Sequence, residues 1–439
     1  MKVFFDATRE RGLETFYSFR INGGDNDLVV HRPIPMKLKH PDWLLAGPWA
    51  PDQKLYWNFA FPQVRQRKLD VITELVENYD LDGLEIDFAR GPIVLPMGQQ
   101  WKNRHYLTQL MREIRLMTMQ AAKKRGRPLL LAARLPETIA GCRVDGIDIE
   151  TWTNDRLLDI IVLGCRSFDG DVAAYRQLTA GSHIQLLGGS DEHHTSDGYD
   201  APPIEVLRGV FTNWWQQGVD GIYCFNWTYA MPADANKIGA LLHDSGMSSV
   251  HRTLYREIGE PSSLRQKDKT FVVQRRGGGG SGAPPPINWK TPRFFQNTNM
   301  FAPLPANLEN AGRADTHLHL IVGDDLAEDA SHIHDITLRM ILHDSDLGHP
   351  FEILNSSDKP APPSNDHIER AIISLFKNIN HLYNHPPRKG IENRVEVLSW
   401  LRGVDKLSQI KTVMLQKRYK RNSAAEILYG ESKTRVIVE

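Results

Sequence analysis

Six short apolar runs recur through the first 240 residues, and that repeat narrows the choice of fold more than anything else in the chain. They are Leu13 to Phe19, Gly83 to Phe88, Pro128 to Ala133, Leu158 to Gly164, Ile184 to Gly188 and Gly221 to Asn226. Between them, Gln63 to Asn78, Arg104 to Arg125 and Ile204 to Gln217 carry helical spacing, and Gly126 and Gly218 stand where a helix would end. Strands separated by crossover helices build a parallel α/β sheet. No glycine-rich phosphate turn follows the first strand, which favours a TIM-type (β/α) barrel over an open doubly wound sheet. A barrel needs eight strands. Met1 to Gly12 reads as a helix, so the pattern is an incomplete barrel of six clear strands, as if two were missing from an N-terminally truncated chain.

The firmest boundary is Gly277-Gly-Gly-Gly-Ser-Gly-Ala-Pro-Pro-Pro286, where free backbone angles give way to a stiff extended run. Beyond it, Asp315 to Val322, Ile336 to Leu342 and Phe351 to Leu354 alternate as strands with one buried face. After Pro360 the spacing turns helical over Ile368 to Leu382, and the end is basic, with Lys417, Arg418, Lys420 and Arg421 reading as a solvated face. The expected organisation is a barrel over 1–270, a linker over 271–289, a small β-sandwich module over 290–358 and a helical basic tail over 359–439.

The 53 basic and 53 acidic side chains cancel, so no net charge draws the chain to nucleic acid or an anionic membrane, and neither is expected as a partner. The three cysteines, Cys142, Cys165 and Cys224, lack the spacing of a redox or metal motif, and the last two sit in predicted strands as small apolar residues. No run approaches a membrane span and no signal peptide is visible. The chain as it stands reads as unexported, with export expected only behind a further N-terminal segment; oligomeric state is not readable.

Chemistry concentrates in Gly83-Leu-Glu-Ile-Asp-Phe88. Side chains alternate along a strand, so Glu85 and Asp87 face one way while Leu84, Ile86 and Phe88 face the other, toward covering helices. Two acids facing a barrel axis are costly unless paired or used, and they stand at the strand end where barrel enzymes place their sites. Arg20, Arg90, Arg134 and Arg166 each follow a strand closely enough to pair with them, and such pairing would equally suit a packed interior.

Trp57-Asn-Phe-Ala-Phe-Pro-Gln-Val-Arg65 and Tyr79-Asp-Leu-Asp-Gly-Leu-Glu-Ile-Asp-Phe-Ala-Arg-Gly-Pro92, with Tyr17 to Asn22 and Gly221 to Trp227, resemble strand ends of the glycosyl-hydrolase-like, family 10-like barrels of bacteria. The resemblance covers roughly the first 240 residues and implies action on a polysaccharide or glycan. Family 18 chitinases carry a related Asp-Gly-x-Asp-x-Asp-x-Glu run, but aligned on Asp82-Gly83 it sets Ala89 where their catalytic glutamate stands. Chitinase-type, substrate-assisted chemistry is therefore not expected.

Glycoside hydrolysis needs one carboxylic acid and one carboxylate flanking the bond. Asp87 and Glu192 are the expected nucleophile or base and acid, with Glu85 assisting and Glu137 in reserve. Arg20, Asn22, Arg90, Arg134, Asp191, Asn226 and Trp227 are the expected substrate contacts. Tyr229, Trp57 and Trp43 are further candidates to stack on sugar rings, whereas Trp214 and Trp215 read as core. His193 and His194, beside Asp191 and Glu192, lack metal-ligand spacing, as do His317 and His319, so neither metal nor cofactor is expected. The alternative is a non-catalytic carbohydrate-binding protein on a degraded barrel; an interaction protein working through the basic tail has only composition behind it.

Overall fold

The computed structural model describes residues 2–22, 34–47, 50–89, 93–164, 168, 170–190, 203–225, 249–274, 302–304, 306–307, 316–325, 329–344, 350–356, 393–399 and 407–419. They fall into two compact units, the first within 1–190 and 218–225, the second within 203–217, 249–274 and 302–419.

The first unit runs α1 (Lys2–Arg9), β1 (Phe16–Arg20), α2 (Pro35–Lys39), β2 (Leu44–Gly47), β3 (Ala50–Trp57), α3 (Pro62–Asn78), β4 (Gly83–Asp87), α4 (His105–Arg125), β5 (Leu130–Leu135), α5 (Ile139–Asp145), α6 (Ile149–Asn154), β6 (Ile160–Leu163), α7 (Val172–Leu178) and β7 (Gln185–Ser190). Helix α8 (Ile204–Gln217) belongs to the second unit, and β8 (Gly221–Cys224) returns to the first.

Strands β1, β4, β5, β6, β7 and β8 form one sheet in that order, and every neighbouring pair is parallel. Spatial order equals chain order, so each crossover steps the same way. That is the winding of a (β/α) barrel; a doubly wound sheet would reverse. The sheet also curls. Tyr223 on β8 donates its hydroxyl hydrogen to Glu85 on β4 at 3.2 Å, whereas four strand steps across a flat sheet would set those strands about 19 Å apart. The fold is a six-stranded partial barrel, and its strands match the six apolar runs of the sequence.

Alternation sorts the two faces. Leu84, Ile86, Phe88, Leu131, Ala133, Leu135, Ile161, Leu163 and Leu186 are buried on the outer face, where α3 and α4 contribute Val64, Ile72, Val76, Leu107, Leu110 and Ile114. On the concave face, Ala132, Ile160 and Val162 pack with Phe16, Leu130, Leu187 and Tyr223. Gly83 is required there, because an added Cβ would lie 2.0 Å from the Phe16 ring. Helix ends follow local chemistry: α3 opens on Pro62, α4 stops at Gly126 with φ 72°, and Thr138, Asp148 and Asp171 cap α5, α6 and α7 through their side-chain oxygens. The β2–β3 hairpin has no counterpart in the sequence reading, where Pro48 and Pro51 interrupt the strand pattern.

The second unit holds α8, α9 (Ser249–Glu257), β9 (Lys269–Val272), β10 (Ala306–Asn307), β11 (Thr316–Val322), β12 (Ile333–Asp344), β13 (Pro350–Ser356), β14 (Asn393–Ser399) and β15 (Leu407–Tyr419). Strands β10, β15, β12 and β13 form an antiparallel sheet with β9 also paired to β15, and β11 pairs antiparallel with β14. Two findings correct the sequence reading of this half. Strand β9, which straddles the expected boundary between barrel and linker at 270, pairs with a strand beyond the linker, and the tail expected to be helical supplies β14 and β15. The stretch Ile368 to Leu382 and the Gly/Pro linker lie outside the described residues.

Lys417, read as a solvated charge, is 1% exposed. It lies directly across from Lys269 in the β9–β15 register. Asp324 accepts hydrogen bonds from both ammonium groups, at 2.7 and 3.0 Å from Lys269 and 3.0 Å from Lys417. Asp329 adds a contact to Lys417 at 3.3 Å. Buried charge is tolerated only when paired, and these partners are too far off in sequence for local pattern to show. Trp214 is core, as its helical setting implied. No described helix is long and apolar enough to cross a membrane.

Candidate functional site

The concave face of the partial barrel carries its polar groups at the C-terminal strand ends. β4 is buried along its whole length, and its two acids point inward as alternation requires. Register sets Ser18 and Ala132 beside Glu85, and Arg20 and Arg134 beside Asp87.

The two carboxyl groups have different surroundings. Asp87, 1% exposed, is held by the fully buried Arg134, whose Nε donates to Oδ1 at 3.0 Å and whose Nη2 donates to Oδ2. The Arg134 guanidinium in turn lies 3.9 Å from the centroid of the Phe225 ring and 5.7 Å from that of Tyr223, a cation on two aromatic faces. Glu85, 3% exposed, makes no ion pair among the described residues; its Oε1 accepts from Ser18 Oγ at 2.5 Å and from Tyr223 at 3.2 Å. Burial pushes its proton affinity up. The Arg134 charge and the Ser18 and Tyr223 hydrogen bonds oppose that rise, the Asp87 charge adds to it, and the net is an acid raised above the ordinary glutamate range.

That direction gives a stability expectation. A carboxyl whose folded value is raised holds its full stability below the unfolded value and loses it as pH rises through the folded one. Glu85→Gln keeps the accepting oxygen and removes the charge. The variant is expected to melt a few degrees higher than the parent at neutral pH and to converge on it in acid, as read by thermal unfolding across pH.

The remaining expected residues are spread more widely. Arg20 is exposed at the end of β1, across from Asp87. Asn22 is fully buried, donating to the carbonyls of Trp57 (2.9 Å) and Ile93 and accepting from the Trp57 amide at 2.9 Å. Its amide thus ties the end of β1 to β3 and to the segment after β4. Glu137 is 4% exposed and packed on Gly164, where an added Cβ would lie 2.6 Å from Glu137 Cγ. Trp57 is buried, and Trp43 is stacked on His40 with centroids 3.8 Å apart. Arg90, Arg166, Asp191, Glu192, His193, His194, Asn226, Trp227 and Tyr229 lie outside the described residues. Three contributors were missed in the sequence: Ser18, Tyr223 and Phe225. Their alternation in β1 and along Tyr223-Cys-Phe225 was the available signal. Among the described residues no cluster of His, Cys, Asp or Glu could hold a metal ion.

A buried acid of raised proton affinity, two residues from a carboxylate fixed by a guanidinium, is a pairing of proton donor with anion. Its place, at the C-terminal ends of barrel-type strands, is where such folds hold substrates.

Residues 1–109 match the family Glycosyl hydrolase-like 10.

That quarter of the chain runs from α1 through β1 and β4 to the start of α4, and so includes Ser18, Glu85 and Asp87 but not Arg134 or Tyr223. No curated protein matches the sequence. Among solved structures, the chain is similar to a glycoside hydrolase family 18 N-acetylglucosaminidase from Paenibacillus barengoltzii at 15% identity and TM-score 0.24, covering 29% of this chain and 45% of that one. It is similar to the maltogenic alpha-amylase AmyB from Thermotoga neapolitana at 12% identity and TM-score 0.32, covering 80% and 76%. A family GH18 chitinase from Chromobacterium violaceum gives 10% identity and TM-score 0.36, covering 95% and 76%. The chain spans less than half of the first of these. At such scores the likeness carries neither fold nor function, and both rest on the geometry described above.

Proposed function

We propose that the partial barrel is a glycoside-hydrolase-like carbohydrate site in which Glu85 delivers a proton to the glycosidic oxygen. One observation carries this reading: Glu85 and Asp87 share one concave face in environments that treat them differently, one buried with no ion pair among the described residues and the other clamped by Arg134. The match of residues 1–109 to a glycosyl-hydrolase-like family supports it. Asp87 or Glu192 serves as nucleophile or base, and Arg20, Arg90, Asp191, Asn226 and Trp227 hold the sugar. Asn22 and Arg134 act on the sugar site by fixing its floor.

A second reading is carbohydrate binding without turnover, and the full engagement of Asp87 by Arg134 favours it. One experiment separates the two. The protein is incubated with a panel of oligosaccharides while new reducing ends and binding are both measured. Hydrolysis is expected, with Glu85→Gln lowering kcat/KM about 10²- to 10⁴-fold, the usual worth of a general acid, while binding persists. Binding with no new reducing ends supports the second reading, and neither binding nor turnover removes both.

A further inference from the structure

The lysines and aspartates buried in the second unit do not pair one to one. Lys269 and Lys417 are each 1% exposed, Asp324 is 7% exposed and Asp329 5%, so four charged groups meet where water has little access. Lys269 is met by both oxygens of Asp324, at 2.7 and 3.0 Å. Lys417 stands instead between two carboxyl groups, 3.0 Å from Asp324 Oδ2 and 3.3 Å from Asp329 Oδ2. The second separation is long for a charge-assisted hydrogen bond, which usually runs about 2.7–2.9 Å. The backbone around Asp329 is fixed: its amide donates to the Asp325 carbonyl at 3.2 Å, and its carbonyl accepts from His332 and Ile333 at 2.8 and 3.2 Å. Lys417 is held from both sides, since β15 sets it across from Lys269 of β9 and Ile336 of β12. An amine, a carboxyl group within its reach and a second carboxylate able to carry a proton are thus placed together on ordered backbone, the proximity that replaces a collision between separate reactants.

We infer that Lys417 and Asp329 condense to an isopeptide bond, a covalent clasp within the second unit, with Asp324 as the proton carrier. The reaction needs amine and acid neutral, so a proton first passes from the Lys417 ammonium to Asp329. The Nζ lone pair then attacks the Asp329 carboxyl carbon and forms the N–C bond, while the C=O electron pair moves to oxygen. Asp324 takes a proton from that nitrogen and gives it to the hydroxyl oxygen. The carbonyl re-forms, the C–O bond breaks and one water leaves. Amine plus acid become amide plus water, with no oxidant or metal. Asp324 ends as it began, a carboxylate bonded to Lys269, and this sets the roles: Lys269 keeps its charge to hold the carrier, and Lys417, which meets both carboxyl groups, is the nucleophile. The bond joins the connection between β11 and β12 to β15, across 88 positions of the chain. Closing a loop of that length limits what the unfolded chain can reach.

The test is the mass of the intact chain. The full-length protein is purified, denatured and weighed by high-resolution mass spectrometry, then digested and its peptides sequenced. The expected result is a mass lower by one water than that of the sequence, and one branched peptide joining Asp329 to Lys417. The water is expected back in Lys417→Met, which sets an apolar chain of similar length at the buried position, and in Asp324→Asn, which removes the proton carrier and keeps its shape. The full sequence mass in the parent protein, a branch through Lys269, or a lost water with no branched peptide, as a cyclic imide at Asp329 would give, overturns the inference even if the variants fail to fold. A Lys417–Asp329 branch that persists in Asp324→Asn overturns the part given to Asp324.

Discussion

Asp87→Ala is expected to cost the six-stranded unit about 3–5 kcal/mol, the usual penalty for removing one partner of a buried ion pair. Arg134 has no exposed surface, so Asp87→Ala takes from its buried guanidinium, set against Phe225 and Tyr223, the carboxylate that clamps it through two nitrogens. The loss is expected as amide exchange about a hundred- to a thousand-fold faster in β4 and β5, measured residue by residue, since a chain of two units need not unfold in one step. Replacing both partners, as in Asp87→Leu with Arg134→Met, is expected to recover most of that loss, because apolar volume can substitute for a buried pair. A single variant costing under about 1 kcal/mol would show the pair to be as weak as a solvated one. The expectation also bears on catalysis: lost turnover in an Asp87 variant could come from a loosened strand, whereas Glu85→Gln leaves the strand intact. That is why the glutamate carries the functional test.

In the second unit, Asp324→Asn is expected to have an effect of similar size and a distinctive pH dependence. It leaves Lys269 and Lys417 facing each other across β9 and β15 without the carboxylate that bonds both, while Asp329 still meets Lys417. Burial already lowers Lys269 from the usual lysine range, and the Asp324 charge is the largest influence opposing that shift. In the variant the folded state should bind fewer protons than the unfolded one around Lys269. Stability then rises with pH across the window between the folded value and the ordinary lysine value. The variant is therefore expected to lose protection in β9 and β15 at neutral pH and to regain part of it as pH rises toward that of free lysine. Loss of stability that does not respond to pH would mean that the strands, and not the charges, hold this sheet together.

These residues also mark what a linear reading can reach. The inward aim of Glu85 and Asp87 follows from alternation within five residues, and the six barrel strands follow from apolar runs of similar length. Both signals are local. Tyr223 is a different matter, because its hydroxyl meets a carboxyl 138 positions away, and only the curl of the sheet brings them together. Ser18 reaches Glu85 by register across β1 and β4, which fixes the pairing once the strands are known but is invisible before. Lys417 was misread for a related reason: a lysine in a basic segment is normally solvated, and the aspartate that buries it lies 93 positions upstream. Asn22 shows a further limit. Its amide chemistry suits a ligand and a backbone clamp equally, and the hydrogen bonds to Trp57 and Ile93 show the clamp.

The central claim is that burial keeps a proton on Glu85 above the pH at which an ordinary glutamate loses it. The most direct measurement is a ¹³C NMR titration of the Glu85 carboxyl carbon in the intact protein. Its midpoint is expected above that of the exposed glutamates, and higher still in Ser18→Ala and Tyr223→Phe, since each removes a hydrogen bond that favours the charged form. A midpoint at or below that of the exposed glutamates would contradict the claim and leave the site without its proton donor.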